Sequence, residues 1–132
     1  MKYQGAILTV LFLIACVTTG CTSAASSAVV DPKFGVMPAD FRDRIEQWLR
    51  SRGRVSMGDV ISVEAPRKGV GQDVGPAGIR NHYGFIVHVS AEPRVKPDTY
   101  IGPRYFYFLF GADGGFGEIT EAWVRGYAAY VK

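Results

Sequence analysis

Two histidines, two cysteines and twelve carboxylates are the side chains in this 132-residue chain with the most obvious chemistry. His82 and His88 sit six positions apart, with Tyr83, Phe85 and Val87 alternating between them and Val89 following. That alternation predicts a strand with both imidazoles on one face, about 20 Å apart at 3.3 Å per residue. The separation is far beyond shared metal coordination, so each ring is expected to stand alone at the surface or strand edge. Either could act as a general base, but no serine or cysteine beside it is marked as a nucleophile. The acids are dispersed. Asp40/Asp43 and Glu118/Glu121 are the closest i,i+3 couples. The first is expected from helix-start chemistry, since acids favour the positive end of the helix dipole. A glycosidase needs two carboxylates facing each other across a cleft, and neither couple marks one. The segment Gly69–Gly75 is rich in glycine, but a phosphate cradle needs a strand before it and a helix after it. Here Pro76 and Gly78 follow, so a flexible connection over 69–78 is predicted.

Basic and aromatic residues point toward binding. Arg67, Lys68, Arg80, Arg94, Lys96 and Arg104 fall in predicted loops or at strand ends. They are expected to form a basic rim at one end of a sheet, able to meet anionic headgroups or an acidic partner. Tyr100, Tyr105, Phe106, Tyr107, Phe108 and Phe110 form the densest aromatic stretch. Residues 105–110 are apolar on both faces and so predict a central strand. Such a strand needs cover on two sides, and one helix covers one. The second side is covered either by the C-terminal segment or by a partner, which would make Tyr100, Tyr105 and Tyr107 contact residues. Fifteen Lys and Arg against twelve Asp and Glu give a net charge of +3. That is too little for a nucleic-acid binder with a dense basic stripe.

The elements that must position these groups read as α+β. Phe41, Ile45, Trp48 and Leu49 recur at i, i+4, i+7 and i+8, which predicts an amphipathic helix over 38–52. Pro38 suits its first turn, Asp40/Arg44 and Glu46/Arg50 are i,i+4 pairs in the favourable order, and Gly53 suits its C-terminal end. Strands are predicted at 60–63, 83–90, 105–110 and 116–119, with Ala112-Asp113-Gly114-Gly115 as a hairpin turn. Residues 91–103 hold Pro93, Pro97 and Pro103 and read as a long excursion. The last segment has helical spacing at Ile119, Trp123, Tyr127 and Tyr130, with Gly126 and the aromatics favouring a strand instead. The sum is an α+β domain, one amphipathic helix packed on a curved antiparallel sheet of about four strands, with the C-terminal segment as either a second helix or a further strand.

The first twenty residues read as a targeting segment. Lys2 is the only charge before Asp31. The run Ala6–Ala15 is apolar over ten residues, too short to span a bilayer and right for the core of a secretory signal peptide. Leu13-Ile14-Ala15-Cys16 and Thr18-Thr19-Gly20-Cys21 each place a small residue directly before a cysteine. Both resemble the lipobox of bacterial lipoproteins, whose cysteine is diacylated and becomes the new N-terminus. Leu13 makes Cys16 the closer match, and Cys21 gives the more ordinary signal length. The resemblance implies a signal peptide at 1–20, lipid on Cys21 or alternatively Cys16, and a membrane anchor. With no Asp after either cysteine it further implies the outer membrane, periplasmic face. Thr22–Val30 is small and uncharged, so 21–37 is expected to be a flexible spacer and 38–132 the domain. A domain without cysteine has no internal disulfide, thiolate nucleophile or zinc-thiolate site.

Phe41–Leu49, Ile61–Gly69 and Tyr83–Gly115 together resemble, in pattern, small proteobacterial envelope lipoproteins of uncharacterised function. No catalytic residue comes with that resemblance. The chain is therefore expected to be a non-enzymatic lipoprotein without cofactor or metal, binding or scaffolding an envelope component. A secretion or assembly complex or a cell-wall polymer would be its partner. The alternative is an inhibitor of an incoming hydrolase such as lysozyme, using a protruding loop such as 91–103, although a basic loop is an awkward tool against a basic enzyme. A small envelope enzyme is the third reading.

Overall fold

The computed structural model describes residues 31–132; the apolar run Ala6–Ala15, Cys16, Cys21 and the segment Thr22–Val30 lie outside the described residues. Helix α1 spans Phe41–Ser51, inside the expected window. Residues 38–40 form the turn that leads into it. Gly53, at φ +64°, ends it. The Gly53 N–H donates to the Arg50 carbonyl and the Arg54 N–H to the Leu49 carbonyl. This is a Schellman arrangement, which satisfies carbonyls the helix would otherwise leave open.

Six strands follow: β1 (Asp59–Val63), β2 (Arg67–Gly75), β3 (Gly78–Pro93), β4 (Arg104–Gly111), β5 (Phe116–Glu118) and β6 (Ala128–Tyr130). A short helix, α2 (Thr120–Val124), lies between the last two. All pairings are antiparallel, in the order β5-β4-β3-β2-β6. Strand β1 shares an edge of β3 with β2. Val63 pairs with Val89 further along, while β2 takes the half from Gly78 to Ile86. The class is α+β, with six strands where four were expected.

The two additional strands correct the sequence reading. Residues 67–75 are not a flexible loop but the outer strand of a hairpin, with Gly75 opposite Gly78 across Pro76-Ala77. Glycine is used there for room. A Cβ on Gly69 would lie 2.3 Å from Ile86 Cδ1, and one on Gly71 would lie 3.3 Å from Leu109 Cδ2. A glycine in a strand often marks such a close approach. The C-terminal segment divides into α2 and β6. Gly126, at φ +79°, stops α2, with Gly126 N–H to Trp123 O and Tyr127 N–H to Ala122 O. The chain then turns back to pair with β2. The expected excursion at 91–103 is shorter, because Ala91–Pro93 still pair with Asp59–Ile61.

The core lies between α1 and one face of the sheet. Ile45 and Leu49 meet Val87, Val89 and Ala91 of β3 and Phe106, Phe108 and Phe110 of β4. Trp48 stands edge-on to Phe108 with ring centroids 5.3 Å apart, and Phe41 edge-on to Phe110 at 6.4 Å. Packing also begins before residue 38, which moves the expected start of the domain. Phe34 is only 5% exposed and stands edge-on to Tyr83 at 5.9 Å. Gly35, at φ +72°, comes so close to Ala112 that a Cβ would lie 2.8 Å from its Cα. Asp31 pairs with Lys68 at 3.6 Å. At least 31–37 of the expected spacer therefore belongs to the folded domain.

Candidate functional site

Strand alternation sends the even positions of β3 and the odd positions of β4 to the face away from α1. His88 leaves that face between two tyrosines, stacked on Tyr105 at 5.4 Å and on Tyr107 at 4.7 Å. Tyr107 stacks in turn on Trp123 at 4.4 Å, and Trp123 meets Tyr130 at 4.6 Å. The Arg67 guanidinium closes the row, 3.7 Å from the Tyr130 ring centre. Burial pushes the Tyr130 phenol up, while the charge of Arg67 opposes that shift. His88 Nδ1 is 2.7 Å from Glu64 Oε1, which orients the ring. The question left by the sequence thus has a mixed answer: α2 and β6 cover Tyr107, whereas Tyr105 remains 54% exposed.

Beside this row, on the other side of α2, the same face opens into a groove of about 480 Å³. Its floor is Gly71, Leu109, Gly111 and Gly117, and Ile119 and Ala122 add apolar lining. Asp73, His82, Asp113, Glu118 and Glu121 stand around it. The fold therefore gathers groups that the sequence scatters: part of the glycine segment, one histidine, the 112–115 turn and the Glu118/Glu121 couple. Each carboxylate has local work. Asp73 Oδ2 is 3.1 Å from His82 Nε2. Asp113 accepts from the Gly115 N–H at 2.9 Å. Glu118 takes Arg54 at 3.0 Å and the Thr120 hydroxyl at 2.8 Å, and Glu121 pairs with Arg125. The His82–Asp73 pair can orient an imidazole at the groove, but no serine, cysteine or lysine lines it. The wall offers hydrogen bonds and apolar contact, which is the chemistry of recognition. Among the described residues no group of three or more His, Cys, Asp or Glu is placed to hold a metal ion.

The expected basic rim is not one feature. Arg80 is on the β2–β3 hairpin, and Arg67 lies on Tyr130 in the aromatic row. Lys68 is on the α1 side, paired to Asp31 and 5.1 Å from the Phe34 ring centre. Arg104 is structural. It donates to the Arg54 carbonyl at 2.5 Å and pairs with Asp59 at 2.6 Å, tying β4 to β1. Only Arg94 and Lys96 share the 94–103 loop with Tyr100. That loop is too far from Arg80 for one rim, because β3, which runs between them, is 16 residues long, about 50 Å of strand.

That loop is held by one short bond. Tyr100 Oη donates to Glu92 Oε2 at 2.6 Å, and Lys96 lies 3.5 Å from the same oxygen. The bond pushes the Tyr100 phenol up to about 12. Tyr100, then Lys96, holds the Glu92 carboxyl below its ordinary value. For the phenol, the stabilisation is full below its ordinary pKa of 10.0 and is lost as pH rises through about 12. For Glu92 it is present above the ordinary value of 4.5 and is lost as pH falls through the lowered one. Replacing Tyr100 by Phe is expected to raise the Glu92 midpoint in an NMR titration and to remove one high-pH step from the tyrosine absorbance titration. An unchanged Glu92 midpoint would show that the bond does not persist in solution.

No protein-family model matches the chain, and the searches of curated proteins and of solved structures return no match. The function is therefore argued from the face itself.

Proposed function

We propose that the protein is a non-catalytic binding domain of a bacterial cell envelope, tethered by lipid on Cys21 to the outer membrane and facing the periplasm. Its groove and aromatic row would hold another envelope component, either a segment of a secretion or assembly complex or a cell-wall polymer. The observation that carries the reading is the groove of about 480 Å³ with glycines in its floor. Glycines leave backbone open to an extended ligand, and the stacked aromatics beside it offer flat apolar area. The groove's carboxylates already serve the fold, which favours recognition over acid–base chemistry. In this reading the sheet curves around the groove, with α1 supporting it from behind. The lipobox-like cysteines supply location, since each buried lipid CH₂ contributes about 0.8 kcal/mol and two or more chains hold a domain durably.

Gly117 provides the test. Its Cβ would meet nothing within 4 Å, and its φ is not in the left-handed region, so Gly117→Trp fills the groove without straining the strand. Crosslinking of the tagged full-length protein in cells, followed by mass spectrometry, is expected to recover one envelope component through groove residues. The Gly117→Trp protein, with wild-type circular dichroism, is expected to lose that crosslink by about tenfold or more, as for a central contact worth over 1.4 kcal/mol. A crosslink that survives the substitution would remove the groove from the reading. The same digest reports whether Cys21 is acylated.

The inhibitor reading gains one specific support. The rim around the groove carries Asp73, Asp113, Glu118 and Glu121, which suits a basic enzyme better than the 94–103 loop does. Sub-micromolar inhibition of lysozyme by the purified protein would favour it.

A further inference from the structure

The β2–β3 hairpin runs beyond the body of the sheet. From Gln72 to His82 every residue is exposed. Its end, Val74-Gly75-Pro76-Ala77-Gly78-Ile79, carries no charge and no polar side chain. Val74 and Ile79 are cross-strand partners, so they share a face, and they are 67% and 64% exposed. Two β-branched side chains held side by side in water at a hairpin end are an apolar contact without a partner. The pairing of Val74 with Ile79 and Gly75 with Gly78 joins the two strands to the tip, while their outward-facing backbone groups stay open. Such a tip suits the hydrated headgroup region, where water meets the open groups, and not the hydrocarbon interior. Behind it stand Arg80, exposed, and Lys33, whose Nζ is 4.0 Å from the Tyr83 ring centre. Of the carboxylates nearby, Asp73 is engaged by His82 and Asp31 by Lys68.

The position of the N-terminal segment says what the tip meets. Val74 and Ile79 lie on the face that carries Tyr83, where Phe34 is seated. That is about 13 Å of strand from Ile79 to Tyr83. Helix α1 starts next to Phe110 and ends near Phe106, running away from the hairpin. Asp31, paired with Lys68, therefore lies on the hairpin's face. Ten residues from Cys21 to Asp31 reach at most about 36 Å, enough to bring the tip and a lipid on Cys21 to one surface.

We propose that Val74–Ile79 is a second membrane contact, inserting into the headgroup region of the phospholipid bilayer that holds the N-terminal lipid, with Arg80 and Lys33 at the phosphates. This rests on the tethered-lipoprotein reading and adds an orientation to it: hairpin toward the bilayer, the 94–103 loop away from it.

The test uses the full-length acylated protein in vesicles of phosphatidylethanolamine and phosphatidylglycerol. Ile79→Cys and Val95→Cys are each labelled with an environment-sensitive fluorophore. Position 79 should shift to the blue in vesicles, and a nitroxide on the lipid headgroup should quench it by about half or more, as for a side chain within about 10 Å of the headgroup boundary. Position 95, on the far loop, should do neither. Adding Val74→Asp to the Ile79-labelled protein should abolish both signals. Quenching at 79 no greater than at 95 would overturn the proposal, even with Cys21 acylated by mass spectrometry. If the peptide proves unacylated the tether fails on its own. Excess vesicles then still decide the tip, which stands if label 79 alone is quenched and falls if it is not.

Discussion

Phe108→Ala should remove about 4 kcal/mol of stability, the usual loss for a phenylalanine cut back in a closed core. Phe108 is fully buried and is the ring on which the two layers meet. Trp48 of α1 stands edge-on to it at 5.3 Å, and Phe116 of β5 stacks on it at 5.6 Å. Truncation loses both aromatic contacts and leaves a void between helix and sheet that neither a strand nor α1 can close without breaking its own hydrogen bonds. A domain of this size has roughly 5–15 kcal/mol in total. The melting temperature is expected to fall by roughly 15–30 °C, at about 4–8 °C per kcal/mol. Phe108→Leu keeps most of the volume and should cost less than about 1.5 kcal/mol. Scanning calorimetry of both proteins checks the pair. A fall of only a few degrees for the alanine variant would mean that α1 does not pack on this face.

Gly84→Ala should be comparably harmful although it adds one methyl group. A Cβ at Gly84 would lie 2.0 Å from the carbonyl oxygen of Phe110 and 2.8 Å from its carbon. Both are backbone, so no rotamer change relieves the contact; strands β3 and β4 must move apart at the Gly84–Gly111 pair. Overpacking usually costs about 1–3 kcal/mol and more where the backbone is the obstacle, so about 3 kcal/mol is expected. Gly75→Ala is the control, because nothing stands within 4 Å of its Cβ position. Fewer unfolded conformations should make it neutral or stabilising by about 0.4–1 kcal/mol. Urea titrations giving the two variants equal midpoints would contradict the close approach of β3 and β4.

The sequence announced some of this directly and hid the rest for physical reasons. Helix α1 was legible because Phe41, Ile45, Trp48 and Leu49 all bury one stripe, and periodicity reports burial. Strand β4 was legible as central because Phe106, Phe108 and Phe110 face α1 while Tyr105 and Tyr107 face the aromatic row. Strand β2 was hidden because its glycines read as local freedom. Gly69 and Gly71 are small because Ile86 and Leu109, distant in sequence, occupy the space their side chains would fill. The useful signal was register: Gly69, Gly84 and Gly111 fall opposite one another on three adjacent strands. Strand β6 was hidden because Ala128–Tyr130 is short and its partner is non-local, while the stretch before it does form a helical turn. Of the candidate site, Tyr105, Tyr107 and Arg67 do meet on one face. Tyr100, Arg94 and Lys96 are elsewhere, because a β3 of 16 residues separates the ends of the sheet. The groove was not legible at all, since three separated stretches build it and its acids are dispersed in the sequence.

The last strand sets the order in which the molecule can be finished. Strand β6 pairs with β2 through Gly69–Tyr130 and Gly71–Ala128, and it brings Tyr130 against Trp123. A chain made or threaded from its N-terminus can seat α1 on β3 and β4 as soon as residue 111 is free. It cannot close the opposite face until residue 130 is free. Ile86, Tyr107 and the open edge of β2 therefore stay in water through that interval, an unpaired edge beside apolar surface. Until β6 arrives the molecule is a sheet covered on one face only, and a holding chaperone would find its target there rather than in the finished domain.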